Sequence, residues 1–264
     1  MECYDSFIVD LDGVLWRGSR PISSNIEPLS RLARTGASIV FLTNNSTRSR
    51  RMYARKIGAL LGVPVRPEQV VNSGYSAAEW LREHHGCSRV LPIGEEGLAE
   101  ELLGACHELV RAEDWREADA VVVGLDRNVT YTKLAGAHKA IMSGALFIAT
   151  NTDKSFPVED GTEPGAGALV GLLRESTGLE PAADAGKPGQ WILSLALRAI
   201  GPKKPLIVGD RIDTDMEMAR RSGLPGLLVL TGITGKPPAG AWFYSAQSLS
   251  SLRVENGRIC IENL

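Results

Sequence analysis

No apolar run in this 264-residue chain approaches the roughly 18 residues that a membrane span needs. The opening stretch MECYDS also lacks a basic region followed by a long apolar one. A cytoplasmic protein with no membrane partner is therefore expected. Neither sign of charge predominates: 29 Lys and Arg against 31 Asp and Glu leave a net charge of -2, so no global attraction to nucleic acid or anionic membrane is expected. The four cysteines, Cys3, Cys87, Cys106 and Cys260, show no C-x-x-C spacing. Neither a zinc site nor a disulfide framework is suggested, and all four are read as reduced thiols. His84, His85, His107 and His138 lack metal-ligand spacing, and there is no internal repeat or low-complexity tract. With 44% apolar and 23% charged residues, the chain reads as an ordinary globular protein able to bury a sizeable core.

Short runs rich in Val, Ile and Leu are present in number: FIVDLD (7–12), SIVFLTNN (38–45), LIVGD (206–210) and LLVLTG (227–232). Helix-like segments lie between them, such as NIEPLSRLARTG, where Ile26, Leu29, Leu32 and Ala33 keep helical spacing and Gly36 supplies a stop. Strands apolar throughout, alternating with helices, predict an α/β fold with a Rossmann-like parallel sheet covered on both faces. The middle of the chain repeats the theme: RVLPIG (89–94), DAVVVGLD (119–126) and ALFIATN (145–151) alternate with further helical patterns. About a hundred residues so patterned form a domain rather than a loop. The expected organisation is a discontinuous core, 1–74 and 183–264, with an α/β module inserted at 75–182. The tail RVENGRICIENL resembles a hairpin around Asn256-Gly257.

Ligands of parallel sheets sit at the carboxyl ends of the strands, where this sequence places polar residues. Asp10 and Asp12 are separated by one residue, so in an extended strand both carboxylates point to one side, and Gly13 lets the chain turn beyond them. Such a pair raises one another's pKa unless a proton or cation intervenes; a hard cation such as Mg2+, which takes a few carboxylate oxygens with phosphate and water, is the natural candidate. The plain alternative is a strand-end turn with both acids facing water. GDRIDTD (209–215) offers Asp210, Asp213 and Asp215 after another strand. Acids there also suit a helix start, so Asp213 is expected to cap, with Thr214 or Asp215 as other caps, and Asp210 to bind the metal. Thr43, Asn44 and Asn45 close a third strand and suit a phosphate, though Thr43 or Ser46 would serve equally as a cap. Lys187, in AGKPG, is a compact cation or simply a solvated one.

Acids, a hydroxyl and a lysine without a Ser/His pair point to phosphoryl transfer through a carboxylate nucleophile. An aspartate and a phosphate dianion about 4 Å apart repel by roughly 8 kcal/mol at an effective dielectric of about 20, and Mg2+ with Lys187 would cancel this. Asp10 would attack, while Asp12 would protonate the leaving oxygen and then activate water.

In that order, D-x-D-G, a strand-end Thr, the Lys of GKP and GDRIDTD resemble the four motifs of the haloacid dehalogenase-like superfamily. FLTNNS, AGKP, GDRIDTDM and VLTGIT, with the insert, are similar to its NagD-like, p-nitrophenyl phosphatase-like subfamily. The resemblance runs from Phe7 to about Thr234. It implies Asp10 as nucleophile and Mg2+ ligand, Asp12 as acid/base and ligand through its carbonyl, Asp210 as third ligand, and Thr43, Asn44 and Lys187 at the phosphate. Asp215 takes a supporting place, Trp16 and Arg17 form a flap, and the insert is the cap. Asp12 favours a phosphatase over a dehalogenase. The expected substrate is a small phosphorylated metabolite, among them phosphoglycolate, glycerol phosphate, sugar phosphates and nucleoside monophosphates. Caps of this family can take part in homodimer contacts. NTDKSFP, Gly189-Gln190 and AWFYSAQSLSSL depart from the commoner pattern.

Two other readings are open. A phospho-accepting receiver domain also gathers acids, a Thr and a Lys at strand ends, but without a second acid two residues on or a domain-sized insert. The basic run STRSRRMYARK, with Arg48, Arg50, Arg51, Arg55 and Lys56, suits a solvated helix face, nucleic-acid binding, or attraction of anionic substrates. In the insert, Asp126, Arg127 and Asp153 lie near strand ends and are candidates to face the substrate.

Overall fold

The computed structural model describes residues 2–158 and 161–261. Six parallel strands form the first sheet, in the order Tyr244–Ala246, Gly226–Val229, Leu206–Gly209, Ser6–Asp10, Ser38–Thr43, Val70–Asn72. The two-residue period of a strand sorts their side chains. Phe7, Val9, Phe41 and Val208 pack with Leu29, Leu32 and Ile57 from helices Ser23–Arg34 and Arg50–Leu61 on one face. Ile8, Val40, Leu42 and Ile207 meet Ile192, Leu193 and Ala196 of helix Gln190–Ile200 on the other. This is the expected Rossmann-like arrangement, buried on both sides because helical crossovers cover both faces.

Between these strands the chain builds a second parallel sheet, ordered Ala183–Asp184, Leu146–Ala149, Ala120–Val123, Arg89–Ile93, Glu108–Leu109. One face carries helices Tyr131–Met142 and Ala166–Thr177, and the other carries Ser73–His85 and Glu96–Gly104. An antiparallel hairpin, Ser155–Val158 with Gly161–Pro164, extends from this unit.

The tail forms the hairpin read from Asn256-Gly257: Arg253–Glu255 pairs antiparallel with Arg258–Ile261, and both turn residues have positive φ. The cysteines correct the reduced-thiol expectation. Strand Glu2–Tyr4 adds to this hairpin with Cys3 opposite Cys260, and the two are joined as a disulfide; a second links Cys87 to Cys106. The first pair is 257 residues apart in sequence. Only the pairing of the two chain ends creates it, so spacing carried no sign of it.

Candidate active site

All six strands of the first sheet run the same way, so Asp10, Thr43 and the residue after Gly209, Asp210, arrive at one edge. A cavity of 530 Å³ lies there, lined by Asp10, Asp12, Thr43, Asn44, Asn45, Lys187 and Asp210 from this sheet's loops, with Arg127, Asn151, Asp153 and Phe156 from the second unit.

Lys187 is buried in the floor and donates to Asp10 Oδ1 at 2.5 Å and Asp215 Oδ1 at 2.7 Å. Burial alone would lower this lysine's pKa, but the fields of Asp10 and Asp215 outweigh it and hold the ammonium charged. Asp210 stands beside them and accepts from the Ile233 N–H at 2.7 Å. Carboxylate oxygens of Asp10, Asp210 and Asp215 all lie within 4.8 Å of one another. Burial first, then the like charge of Asp215, pushes Asp210 up to about 6. Burial likewise raises Asp10, helped by Asp215, Asp210 and Asp12 against the opposing pull of Lys187.

Two backbones close tightly on Asp210. A Cβ added at Gly13, where φ is +82°, would sit 2.3 Å from Asp210 Oδ2, and one at Gly232 would sit 1.8 Å away. The glycine after the two aspartates is thus required both by its left-handed conformation and by the carboxylate behind it.

Asp215 supports the site through Lys187. After strand Leu206–Gly209 the chain makes a π turn over Ile212–Met216, with Met216 N–H bonded to the Arg211 carbonyl five residues back. This turn brings Asp215 over Lys187. Asp213 pairs with the Arg211 guanidinium, which corrects its expected capping role, while Asp215 Oδ2 accepts from the Arg211 backbone N–H at 3.2 Å and so takes the capping part expected of Thr214 or Asp215.

Asp12 points differently from Asp10. Its Oδ1 accepts from Trp16 Nε1 at 2.8 Å, and burial raises its carboxyl above the ordinary aspartate range despite that bond. Trp16 is itself buried, stacked parallel to Tyr53 with ring centroids 6.3 Å apart, and carries the Lys56 ammonium 3.4 Å above its ring. Arg17 donates to the carbonyls of Thr231 and Gly232.

Of the polar run after the third strand, Thr43 Oγ1 accepts from the Asn45 N–H, and Asn45 Oδ1 accepts from Thr47. Asn44 clamps the Lys187 loop: its Oδ1 accepts from Lys187 N–H at 2.7 Å, and its Nδ2 donates to the Lys187 carbonyl and to Asp153 Oδ2. Asp153 also meets Arg211 at 3.3 Å. Arg127 lines the cavity while bound to Glu95, whereas Asp126 is buried against Lys133 away from it. The basic run divides: Arg50 and Arg51 pair with Glu101 and Glu100 of the second unit, while Arg48 and Lys56 line the cavity. Arg211, Tyr53 and Asn151 also line it and were not singled out as site residues. The tyrosine's helical spacing to Lys56, three residues on, was the available signal.

The sign of the Asp210 shift makes a prediction. A carboxylate whose folded pKa exceeds its unfolded one costs stability when ionised; the cost is absent below pH 3.8 and complete above about 6. In chelator at pH 8, Asp210→Asn should therefore raise stability to urea by up to about 3 kcal/mol, with the gain vanishing by pH 4. An unchanged or lowered stability at pH 8 would count against a strained carboxylate cluster.

Residues 7–105 match the model of the haloacid dehalogenase-like hydrolases, and residues 184–251 match a second HAD-hydrolase-like model. A 5'-nucleotidase of Bacillus subtilis is 36% identical over 236 residues, covering 89% of this chain and 90% of that one. The chain belongs to the haloacid dehalogenase-like hydrolases. Among solved members of this family, the p-nitrophenyl phosphatase from Archaeoglobus fulgidus superposes with a TM-score of 0.84 at 34% identity, covering 94% of this chain and 97% of that chain. The glycerol phosphate phosphatase of Mycobacterium tuberculosis, crystallised with magnesium, gives a TM-score of 0.78 at 38% identity over 87% of this chain and 68% of that one. The NagD-like resemblance of the sequence thus extends to the whole fold.

Proposed function

We propose that this hydrolase cleaves small phosphomonoesters with the help of Mg2+, through an aspartyl phosphate on Asp10. The observation that carries the reading is the buried Asp10–Lys187–Asp215 ion cluster with Asp210 beside it, opening on a cavity at the carboxyl edge of a parallel sheet. The activities named for the relatives, on nucleotides, glycerol phosphate and p-nitrophenyl phosphate, share this chemistry.

The residues suit a hard divalent cation. Three carboxylates converge, two of them with raised pKa, and the glycines at 13 and 232 leave Asp210 the room a Cβ would fill. Asp10 and Asp210, the Asp12 carbonyl and Asp215 behind them would hold Mg2+, which when bound supplies positive charge to the carboxylates and phosphate. A carboxylate oxygen of Asp10 attacks phosphorus as the bond to the leaving oxygen breaks. Asp12, favoured in its proton-bearing form by burial, gives that oxygen a proton. Asp12 then takes a proton from water, whose oxygen attacks phosphorus and releases Asp10 and inorganic phosphate. Lys187 offsets charge throughout, with the Thr43 hydroxyl at the phosphate. The amide of Asn44, occupied with the Lys187 loop, positions that lysine.

The inserted unit, 75–182, is proposed as the cap. Its limits shift slightly on pairing grounds, since Ala183–Asp184 joins the second sheet and helix Ser73–His85 buries Ala77, Ala78 and Leu81 against it. A homodimer and a cytoplasmic site of action belong to the same proposal; among the described residues no helix is long and apolar enough to cross a membrane.

Turnover of p-nitrophenyl phosphate tests the reading. The protein is expected to release many equivalents of p-nitrophenol, to fall at least about 100-fold on chelation, and to recover with Mg2+. A single equivalent, as from a phospho-accepting receiver, or turnover indifferent to chelation, would sink it.

A further inference from the structure

The cavity's cations differ in whether their charge is already used. Lys187 is held by Asp10 and Asp215, Arg127 by Glu95, and Arg211 by Asp213 and Asp153, while Arg17 is spent on two carbonyls. Arg48 and Lys56 also line the cavity, and among the described residues neither forms an ion pair. Arg48 lies just before Ser49, whose hydroxyl caps helix Arg50–Leu61, and Lys56 lies on that helix one turn beyond Tyr53. Their places are fixed. The Arg48 backbone is pressed by the second unit, where a Cβ on Gly97 would come within 2.3 Å of it, and the Lys56 ammonium rests on the Trp16 ring. Burial, then the field of Arg48, lowers the Lys56 pKa, with Asp12 opposing. Arg48 also feels the field of Glu95, but two cations that repel one another across a cavity wall, without a carboxylate bound to either among the described residues, suit an anion from solution.

We propose that Arg48 and Lys56 form a second anion site, so that the favoured substrates are small phosphomonoesters bearing a second anionic group, a carboxylate or another phosphate. The inference rests on the phosphatase reading and deepens it. The scissile phosphate lies against Lys187 and Asp10, and the far end of the substrate reaches the start of helix Arg50–Leu61. Guanidinium and ammonium groups both donate to carboxylate or phosphate oxygens, so the shared chemistry is a second negative charge. Part of the selectivity then resides in the core, on the segment that follows Thr43–Asn45, rather than in the cap.

The test compares kcat/KM for phosphoglycolate and for ethylene glycol bisphosphate with that for ethyl phosphate, which lacks the second anion. The wild-type protein is expected to prefer one or both charged substrates by at least about tenfold, the two arms telling carboxylate from phosphate. Lys56→Met and Arg48→Met should each cut that ratio about tenfold, mainly through KM, and Lys56→Arg should restore most of it. The ratio is internal to each preparation, so a variant of poor yield still reports. A wild-type ratio near one for both charged substrates overturns the inference alone. Variants that depress charged and neutral substrates alike also overturn it, because Lys56 would then serve Asp12 and Trp16 instead. Failure to turn over any phosphomonoester, p-nitrophenyl phosphate included, overturns the phosphatase reading and this inference with it.

Discussion

Asp10→Asn should yield a folded protein whose phosphatase turnover has fallen by about four orders of magnitude or more. The amide oxygen that replaces the carboxylate is a poor nucleophile, and no other carboxylate has the same place at the end of strand Ser6–Asp10, bonded to Lys187. Folding should survive because Lys187 keeps Asp215 at 2.7 Å while one of three crowded carboxylates is removed. Stability to urea in chelator is therefore expected to hold or rise. Phosphate release under saturating substrate, measured beside the denaturation curve, separates the two effects. A folded variant retaining a tenth of the activity would refute Asp10 as the attacking group.

Lys187→Met should act in the opposite sense on stability. Its ammonium is buried between two carboxylates with a third close by. Removing one member of a buried ion cluster leaves uncompensated charge and costs about 3–5 kcal/mol. The loss should be greatest at pH 8, where the acids are ionised, and should shrink as pH falls through about 6, where Asp210 takes up its proton. Added Mg2+ should recover part of it, so stability would depend more on the cation in the variant than in the wild type. Urea denaturation with and without Mg2+ at both pH values checks this. A cost below about 1 kcal/mol at pH 8 would mean that water reaches the cluster and the charges are screened.

The parts of the site that the sequence made legible were those with a local cause. Asp10, Thr43 and Asp210 each end an unbroken apolar run, and a parallel sheet delivers such residues to one edge whatever the order of its strands. Lys187 has no such local cause. Its partners lie 177 and 28 residues away, so the sequence offered it only as a lone cation, and the resemblance gave it its place at the phosphate. Asp215 reaches the lysine through a π turn, a shift of the side chain that helical spacing does not anticipate. Asn44 and Asn45 were read as phosphate contacts because amides after a strand suit that role. In the fold the Asn44 amide is bonded to the Lys187 loop, and the Asn45 amide oxygen accepts from Thr47. Arg48 and Lys56 stood inside a basic run of which Arg50 and Arg51 pair with the second unit, so the run's composition hid their difference.

Asp153 joins Asn44 and Arg211 from across the cavity, and Asn44 grips the backbone of Lys187 on both sides of its peptide. Any excursion that lifts the inserted unit would break the Asp153 bonds, along with those of Glu100 and Glu101 to Arg51 and Arg50. It thereby loosens the residue that aims the lysine at Asp10. Admission of a substrate and readiness to attack it would then alternate rather than coincide, and an ester would meet a fully armed nucleophile only after the enclosure had shut behind it.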